Sequence, residues 1–530
     1  MLLDSIAIAD FPSFSKFDRD FNQSDSILSP FTKWDPSIDT VEEIIKNRNH
    51  FSTNRKVLYE VFKSQYHTLG LLDHSETIIN TLLSPNTYTV VTAHQPCLFT
   101  GPAFVLSKAI STIKLAQQIQ ERYPEYKIIP VFVIGSEDHD VEELNHTYLF
   151  GKKITWETSQ KGPVGRYTLN EIQPVLDEAI LFLNSTKFGH ELIPLLEKAY
   201  HPDHSFADAF QIILNFLLQD YGMLILNTDC QEFKQVLKPY IIEEVQHSTS
   251  KPLVQKTQGD LKALGYDQAA YARDINFFYF GDGFRDRIEK RDASYNIVGK
   301  DVHFTENQMD TELDTHPDRF SPNVIMRPLY QEILLPNLAY VGGGGELAYW
   351  IERKYQFESL GVPYPMLIRR DSFMVITQEQ FDQLNQYKLT LVDLAIRTDL
   401  LLNQTAESLS ESIIHLTYES DHIMEWMDQI RTKAEAIDKT LGQNVEAEKS
   451  KILKSIESIE KKMLKAEKLK SEIHLNKVKK LQDKLMPDHT LLERKENFMT
   501  FYAEYGKAFV ETLLLDFNPL DRKFKAIKIA

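Results

Sequence analysis

Two short β-branched runs with a helix between them constrain this chain more than any other feature. Thr87–Thr92 reads Thr-Tyr-Thr-Val-Val-Thr, and Ile128–Ile134 reads Ile-Ile-Pro-Val-Phe-Val-Ile. The pattern predicts strands, the second of the kind buried on both faces. Between them, Gly101-Pro102 opens a helix that runs to about Arg122, with Pro102 expected at a first helical position. Strand, helix, strand in so short a span is a βαβ unit, whose right-handed crossover makes the strands parallel. The expected fold class is therefore α/β, with a parallel-sheet core over residues 86–376. Met223–Leu226, after the amphipathic helix Phe206–Gln219, adds a strand, as do Leu338–Val341 and Met374–Ile376. Residues of about 150–215 and 230–320 read as insertions. The second holds one helix, Gln231–Gln246, and aromatic strand-like pieces at Phe277–Phe280 and Tyr295–Val298.

The flanks read differently. Residues 1–85 are expected to be a helical segment on the core, with helices at Val41–Lys46, Val57–Tyr66 and Ser75–Leu83, the last capped by Ser75. Residues 377–490 form a helical domain whose centre, Tyr418–Met486, has the rhythm of a coiled-coil hairpin. Ile423, Met427, Ile430, Ala434, Ile437 and Leu441 make one seam, and Ile452, Ile456, Ile459, Met463 and Ala466 the other, on either side of a turn at Gly442. The rhythm drifts at Leu469, and Pro487 ends it. Residues 491–530 are expected to return to the core.

Charge narrows the partners. Lys plus Arg number 59 against 76 Asp plus Glu, a net −17, which disfavours nucleic acid. Lys449–Lys484 runs against this balance with twelve lysines and five acids, which reads as a solvated face, or as an anion or nucleotide contact, or as a dimer seam meeting an acidic partner surface. Cys97 and Cys230 are the only cysteines, too few for a disulfide framework. No stretch approaches the roughly 18 apolar residues of a membrane span, and the N-terminus lacks the basic and apolar regions of a signal peptide. A cytoplasmic, membrane-free location is expected.

Three clusters carry chemistry. His94-Gln95-Pro96-Cys97-Leu98-Phe99-Thr100-Gly101 lies between strand and helix, where free N–H groups favour phosphate or carboxylate. His94, Gln95, Thr100 and Gly101 are the candidate binding residues there. Neither a dinucleotide fingerprint nor a Walker loop is present. Glu137, Asp138, His139 and Asp140 follow the second strand, and so many charges at one strand end make them the catalytic candidates. A capping loop would explain Asp140 alone. The third cluster supplies binding candidates Asn323, Arg327, Gln331 and Glu332, then Gly342, Gly343, Glu346, Tyr349 and Trp350 around a run of four glycines. His94 and His139 lack partners at zinc-ligand spacing, so no metal is expected. A lone Cys in such a core is more often inert packing than a nucleophile, and Cys97 is read so.

These clusters, in residues 94–116, 128–146 and 316–350, resemble the bacillithiol-biosynthesis cysteine-adding enzyme family over essentially the whole chain. The resemblance implies a Rossmann-like core related to class I nucleotidyltransferases, connecting-peptide insertions, and a long antiparallel coiled coil that supports a homodimer. It implies a ligase that joins L-cysteine to glucosaminyl-malate through an amide bond. Pro96-Cys97 departs from the family pattern in its loop. Amide formation in water is uphill, so activation by ATP or another nucleotide is expected. The rival readings are another Rossmann-like synthetase or nucleotidyltransferase-type enzyme, and a catalytically inactive coiled-coil interaction protein.

Overall fold

The computed structural model describes residues 1–410 and 414–529. The predicted βαβ unit lies at the centre of a five-stranded parallel sheet. Its strands are β1 (Thr87–His94), β2 (Lys127–Ile134), β3 (Leu224–Asn227), β4 (Asn337–Gly342) and β5 (Met366–Arg369). Across the sheet they run β5-β4-β1-β2-β3. That is the doubly wound 3-2-1-4-5 order, in which successive crossovers leave β1 first one way and then the other. The reversal falls between β1 and β4, and such sheets bind ligands outside the carboxyl ends of the strands at that point.

Both faces of the sheet are covered, which is why its strands are continuously apolar. Val91, Val131 and Leu224 pack into one large core, and Val90, Ile128 and Ile368 into another. The crossover helix Phe104–Arg122 lies against β1 and β2. It begins after Ala103, so Pro102 precedes the helix instead of opening it, and it bridges to Asn497. The early helices are Val41–Arg48, Arg55–Thr68 and Leu72–Thr81. Ser75 is a buried residue within the last of these, not its cap.

The first insertion, between β2 and β3, contains an antiparallel hairpin (His146–Leu149 with Lys152–Thr155) and three helices, Gln173–Leu183, Gly189–Ala199 and Phe206–Leu218. The second, between β3 and β4, carries more than the sequence suggested. Helices Gln231–His247, Ser250–Ala263 and Glu306–Thr315 accompany an antiparallel sheet of five strands. Its Phe277–Gly281 strand lies between Phe284–Arg291 and Phe320–Pro322. A third sheet joins the chain ends: Lys523–Ile527 pairs with Leu2–Ala7 and with Ser372–Val375.

The chain divides into two compact units, residues 1–375 with 493–530, and residues 376–492. In the second unit Thr417–Glu435 and Leu441–Lys470 form the hairpin. Lys449 pairs with Asp428 at 2.9 Å and His415 with Glu460 at 3.0 Å, a register that only antiparallel helices produce. The turn lies before Gly442, which is buried in the first turn of the second helix. The helix breaks at Ser471 and restarts as Glu472–Leu485, beside the heptad drift. Thr398–Leu409 packs on both pieces, with Leu401, Val478 and Tyr387 in contact. No helix among the described residues is long and apolar enough to cross a membrane.

Candidate active site

A cavity of about 670 Å³ opens at the switch point, within the ordinary range for a small-molecule site. Its walls come from the ends of β1 and β2, from the β4 loop and from the second insertion. His94, Gln95, Glu137, Asp138, His139, Asn323, Arg327, Gln331, Gly343, Glu346 and Tyr349 all line it. Parallel strands explain the convergence, because loops following parallel strands leave the sheet at one edge.

The two strand-end loops are tied together. Gly135 N–H donates to the His94 carbonyl at 2.8 Å, and Gln95 Nε2 donates to Asp138 at 3.1 Å. A side chain at Gly135 would meet the Arg327 guanidinium at 3.3 Å, so this glycine lets the arginine approach the strand end. Gly165 packs as closely on Ser136, where its N–H bonds the Ser136 carbonyl at 2.9 Å, and Val164 N–H bonds that of Asp138 at 2.6 Å. The first insertion thereby fixes the acidic loop.

Within that loop the charges are individually partnered. Glu137 accepts from Lys234 at 2.5 Å and from Ser321 Oγ at 2.7 Å. Asp138 is held below the usual carboxylate range: burial opposes this, but Gln95, Arg285 and the N–H groups of His139 and Asp140 prevail. Arg285 NH1 donates to His139 Nδ1 at 2.7 Å, and burial together with that guanidinium lowers the His139 pKa. His94 is pushed down to about 4 by burial and by Lys108. Its Nδ1 lies 2.9 Å from the Gln95 carbonyl, which can only accept, so Nδ1 carries the proton.

On the opposite wall Glu346 is the hub of the glycine loop. Lys108 reaches it at 2.7 Å from the crossover helix, and Tyr340 Oη and Gly343 N–H each donate at 2.9 Å. Burial works against the charge, but Lys108 and Gly343 N–H hold its carboxyl down at about 2. Arg327 donates to Tyr349 Oη at 2.9 Å. Arg370 is held by Glu493 at 2.9 and 3.0 Å.

Six candidates lie elsewhere. Thr100 is buried in a turn whose Phe99 and Thr100 have positive φ, held by Asn497 Nδ2 bonds to the carbonyls of Phe99 and Gly101 at 2.8 and 2.6 Å. Thr100 and Gly101 therefore serve that turn, not the cavity. Glu332 is buried against Gln331 and Asn337, and burial lifts its carboxyl to about 7. Trp350 stacks on Tyr340 with ring centres 4.3 Å apart. Gly342 ends β4 against the Tyr340 ring, one residue short of the lining. Asp140 is exposed before the short helix Val141–Leu144, makes no capping bond, and is not part of the wall. Among the residues missed, Arg285, Arg273 and Tyr271 come from the second insertion, and Arg494 from the returning C-terminal segment. Lys108 had a legible signal: a lysine inside the apolar face of the crossover helix. No group of three or more His, Cys, Asp or Glu placed to hold a metal occurs among the described residues.

Residues 1–371 match the family model "Bacillithiol biosynthesis BshC, N-terminal Rossmann-like domain", and residues 373–529 its "C-terminal coiled-coil domain". The chain belongs to the BshC family. A BshC relative from Flavobacterium johnsoniae is 36% identical over 97% of this chain and 98% of its own, and one from Cytophaga hutchinsonii 33% over 98% and 97%. The Bacillus mycoides protein is 26% identical over 85% of this chain and 86% of its own. Each bears the name "Putative cysteine ligase BshC". The BshC fold, a Rossmann-like parallel sheet followed by a coiled coil, is the architecture described above.

Proposed function

We propose that this chain is a ligase of bacillithiol biosynthesis that joins the carboxyl group of L-cysteine to the amine of glucosaminyl-malate. One observation carries the reading of the site. In a chain of net charge −17, the cavity at the switch point gathers five arginines, Arg273, Arg285, Arg327, Arg370 and Arg494, against three carboxylates, Glu137, Asp138 and Glu346. Such an inverted field suits polyanions. The malate moiety brings two carboxylates and a nucleotide brings phosphates.

Activation follows from thermodynamics. A carboxylate does not condense with an amine in water unless its oxygen is first made a leaving group, as an acyl phosphate or acyl adenylate. A nucleoside triphosphate is the co-substrate we assign to this step, with the arginines and the N–H groups of the glycine loop as its phosphate contacts. The test is direct: pure protein is incubated with L-cysteine, glucosaminyl-malate and each of several nucleoside triphosphates, and product mass is followed. Condensation product with one nucleotide supports the assignment; no product with any of them refutes it.

We also propose a homodimer built through the hairpin. Trp426, Leu469 and Ile473 are more than half exposed on it, and Ile437 and Ile459, expected in the seam between the helices, are instead 83% and 50% exposed outside it; a closed two-fold dimer is the commonest assembly that would cover such a surface.

A further inference from the structure

The described residues contact the imidazole nitrogens of His139 through Nδ1 alone. A guanidinium donates and does not accept, and it keeps its proton in proteins. With Arg285 NH1 at 2.7 Å, Nδ1 must be the acceptor, and the single ring proton sits on Nε2. Protonating Nδ1 would remove the acceptor and set two cations against each other at that distance.

Arg285 has little freedom to give way. Its Nε donates to Ser321 Oγ at 2.9 Å, its NH2 to the Pro322 carbonyl at 2.9 Å, and its plane lies 3.9 Å from the Phe278 ring centre. Ser321 Oγ in turn donates to Glu137, which also binds Lys234. The donor directions along this chain are all determined: Lys234 and Ser321 to Glu137, Arg285 to Ser321, Arg285 to His139. The antiparallel sheet of the second insertion thus holds a guanidinium against Nδ1 of a side chain in the β2 loop. Other charged groups near the imidazole are Asp138, 3.8 Å from Nδ1 at Oδ1, and Asp140 on its own loop, with Asp286 on the strand of Arg285. These acids favour protonation, and Arg285 opposes it.

We propose that Arg285 is a positioning residue that holds His139 as a neutral donor, its Nε2–H directed to the oxyanion formed when the amine attacks the activated cysteine carboxyl. The proposal rests on the ligase reading for the identity of the oxyanion, but the tautomer does not depend on it. In the step, the amine lone pair forms the C–N bond and the carbonyl π pair moves onto oxygen. That pair returns as the phosphate-bearing group leaves with the C–O bonding pair, and the amine proton passes to water. A preoriented donor acts where the charge develops, without reorganisation during the step. His139 is thereby assigned a donor role and not that of general base.

The test uses full-length protein with 13Cε1-labelled histidine. The His139 resonance is assigned by its loss in His139→Gln and titrated by NMR. The expected result is a His139 midpoint below the ordinary value of about 6.5 in the wild type, and in Arg285→Gln a midpoint that rises towards it. Arg285→Lys, which keeps a cation, should leave the midpoint depressed. A wild-type His139 that titrates at the ordinary value would overturn the proposal without need of any variant, as would an Arg285→Gln protein whose His139 midpoint does not rise. In the ligation assay, Arg285→Gln should lose about 10²-fold in kcat with a smaller change in KM; an unchanged kcat would overturn the donor role. If no ligation is found at all, the titration still decides the positioning claim separately from the ligase reading.

Discussion

Replacing Lys108 by Met should destabilise the first unit by about 3 kcal/mol, and two routes lead to that figure. Lys108 has no exposed side-chain surface, and its ammonium sits 2.7 Å from Glu346, whose side chain is 22% exposed. Removing one partner of a buried ion pair costs about 3–5 kcal/mol because the other is left charged. The second route is the Glu346 carboxyl, which falls from an ordinary 4.5 to about 2, equivalent to about 3 kcal/mol. The lower end applies because Tyr340 Oη and Gly343 N–H remain as donors. The intact pair is worth less than this, since burial also depresses the Lys108 pKa. A depressed carboxylate contributes stability that is fully present above the unfolded value and is lost as pH falls towards the folded one. The Glu346 contribution should therefore disappear between pH 4.5 and about 2 in the wild type, and be largely absent in Lys108→Met. Urea denaturation, followed by tryptophan fluorescence, reads the change as a lower midpoint at similar slope. Adding Glu346→Gln should recover much of the loss, because it removes the stranded charge. A loss under about 1 kcal/mol, or additive losses in the double variant, would refute the reasoning.

Three further outcomes are expected. Burial lifts the Cys97 thiol to about 12, so Cys97→Ser should keep ligation within about 3-fold, and the native thiol should resist alkylation until urea is added; rapid native labelling would contradict this. Arg327→Met should raise KM for the anionic substrate about 10–100-fold, the equivalent of a lost charge-assisted hydrogen bond, with Arg327→Lys recovering only part; an unchanged KM would place the anion elsewhere. The protein should sediment as a dimer at micromolar concentration, more weakly in high salt, and deletion of residues 418–486 should give a monomer; a full-length monomer refutes the hairpin dimer.

The parts of the fold legible in the sequence are those with one dominant physical cause. The apolar runs of β1 and β2 could only be buried strands, and the seam through Met427 and Ile456 could only pair helices. Boundaries set by tertiary contacts were not legible. Pro102 bridges to Asn497, far along the chain, and so stays outside the helix it precedes. Gly442 packs against Glu435 within the helix start, although its composition suggested a turn. Candidates lying at strand ends, such as His94, Asp138 and Glu346, could be read because topology brings strand ends together. Arg285 and Arg494 could not, since their places depend on how an insertion and a returning terminus fold back. Thr100 and Trp350 looked like ligand contacts because polarity and aromaticity mark binding residues and packing residues alike.

The most direct test of the account follows the oxygen atoms of the substrate. L-cysteine with both carboxyl oxygens as 18O is incubated with glucosaminyl-malate, the nucleoside triphosphate and the protein, and both products are analysed by mass. If the carboxyl is activated as a phosphate-linked acyl group, one 18O remains in the new amide and the other appears in the released phosphate or nucleotide monophosphate. Amide product accompanied by an unlabelled phosphate-bearing product, or no amide at all, would contradict the account.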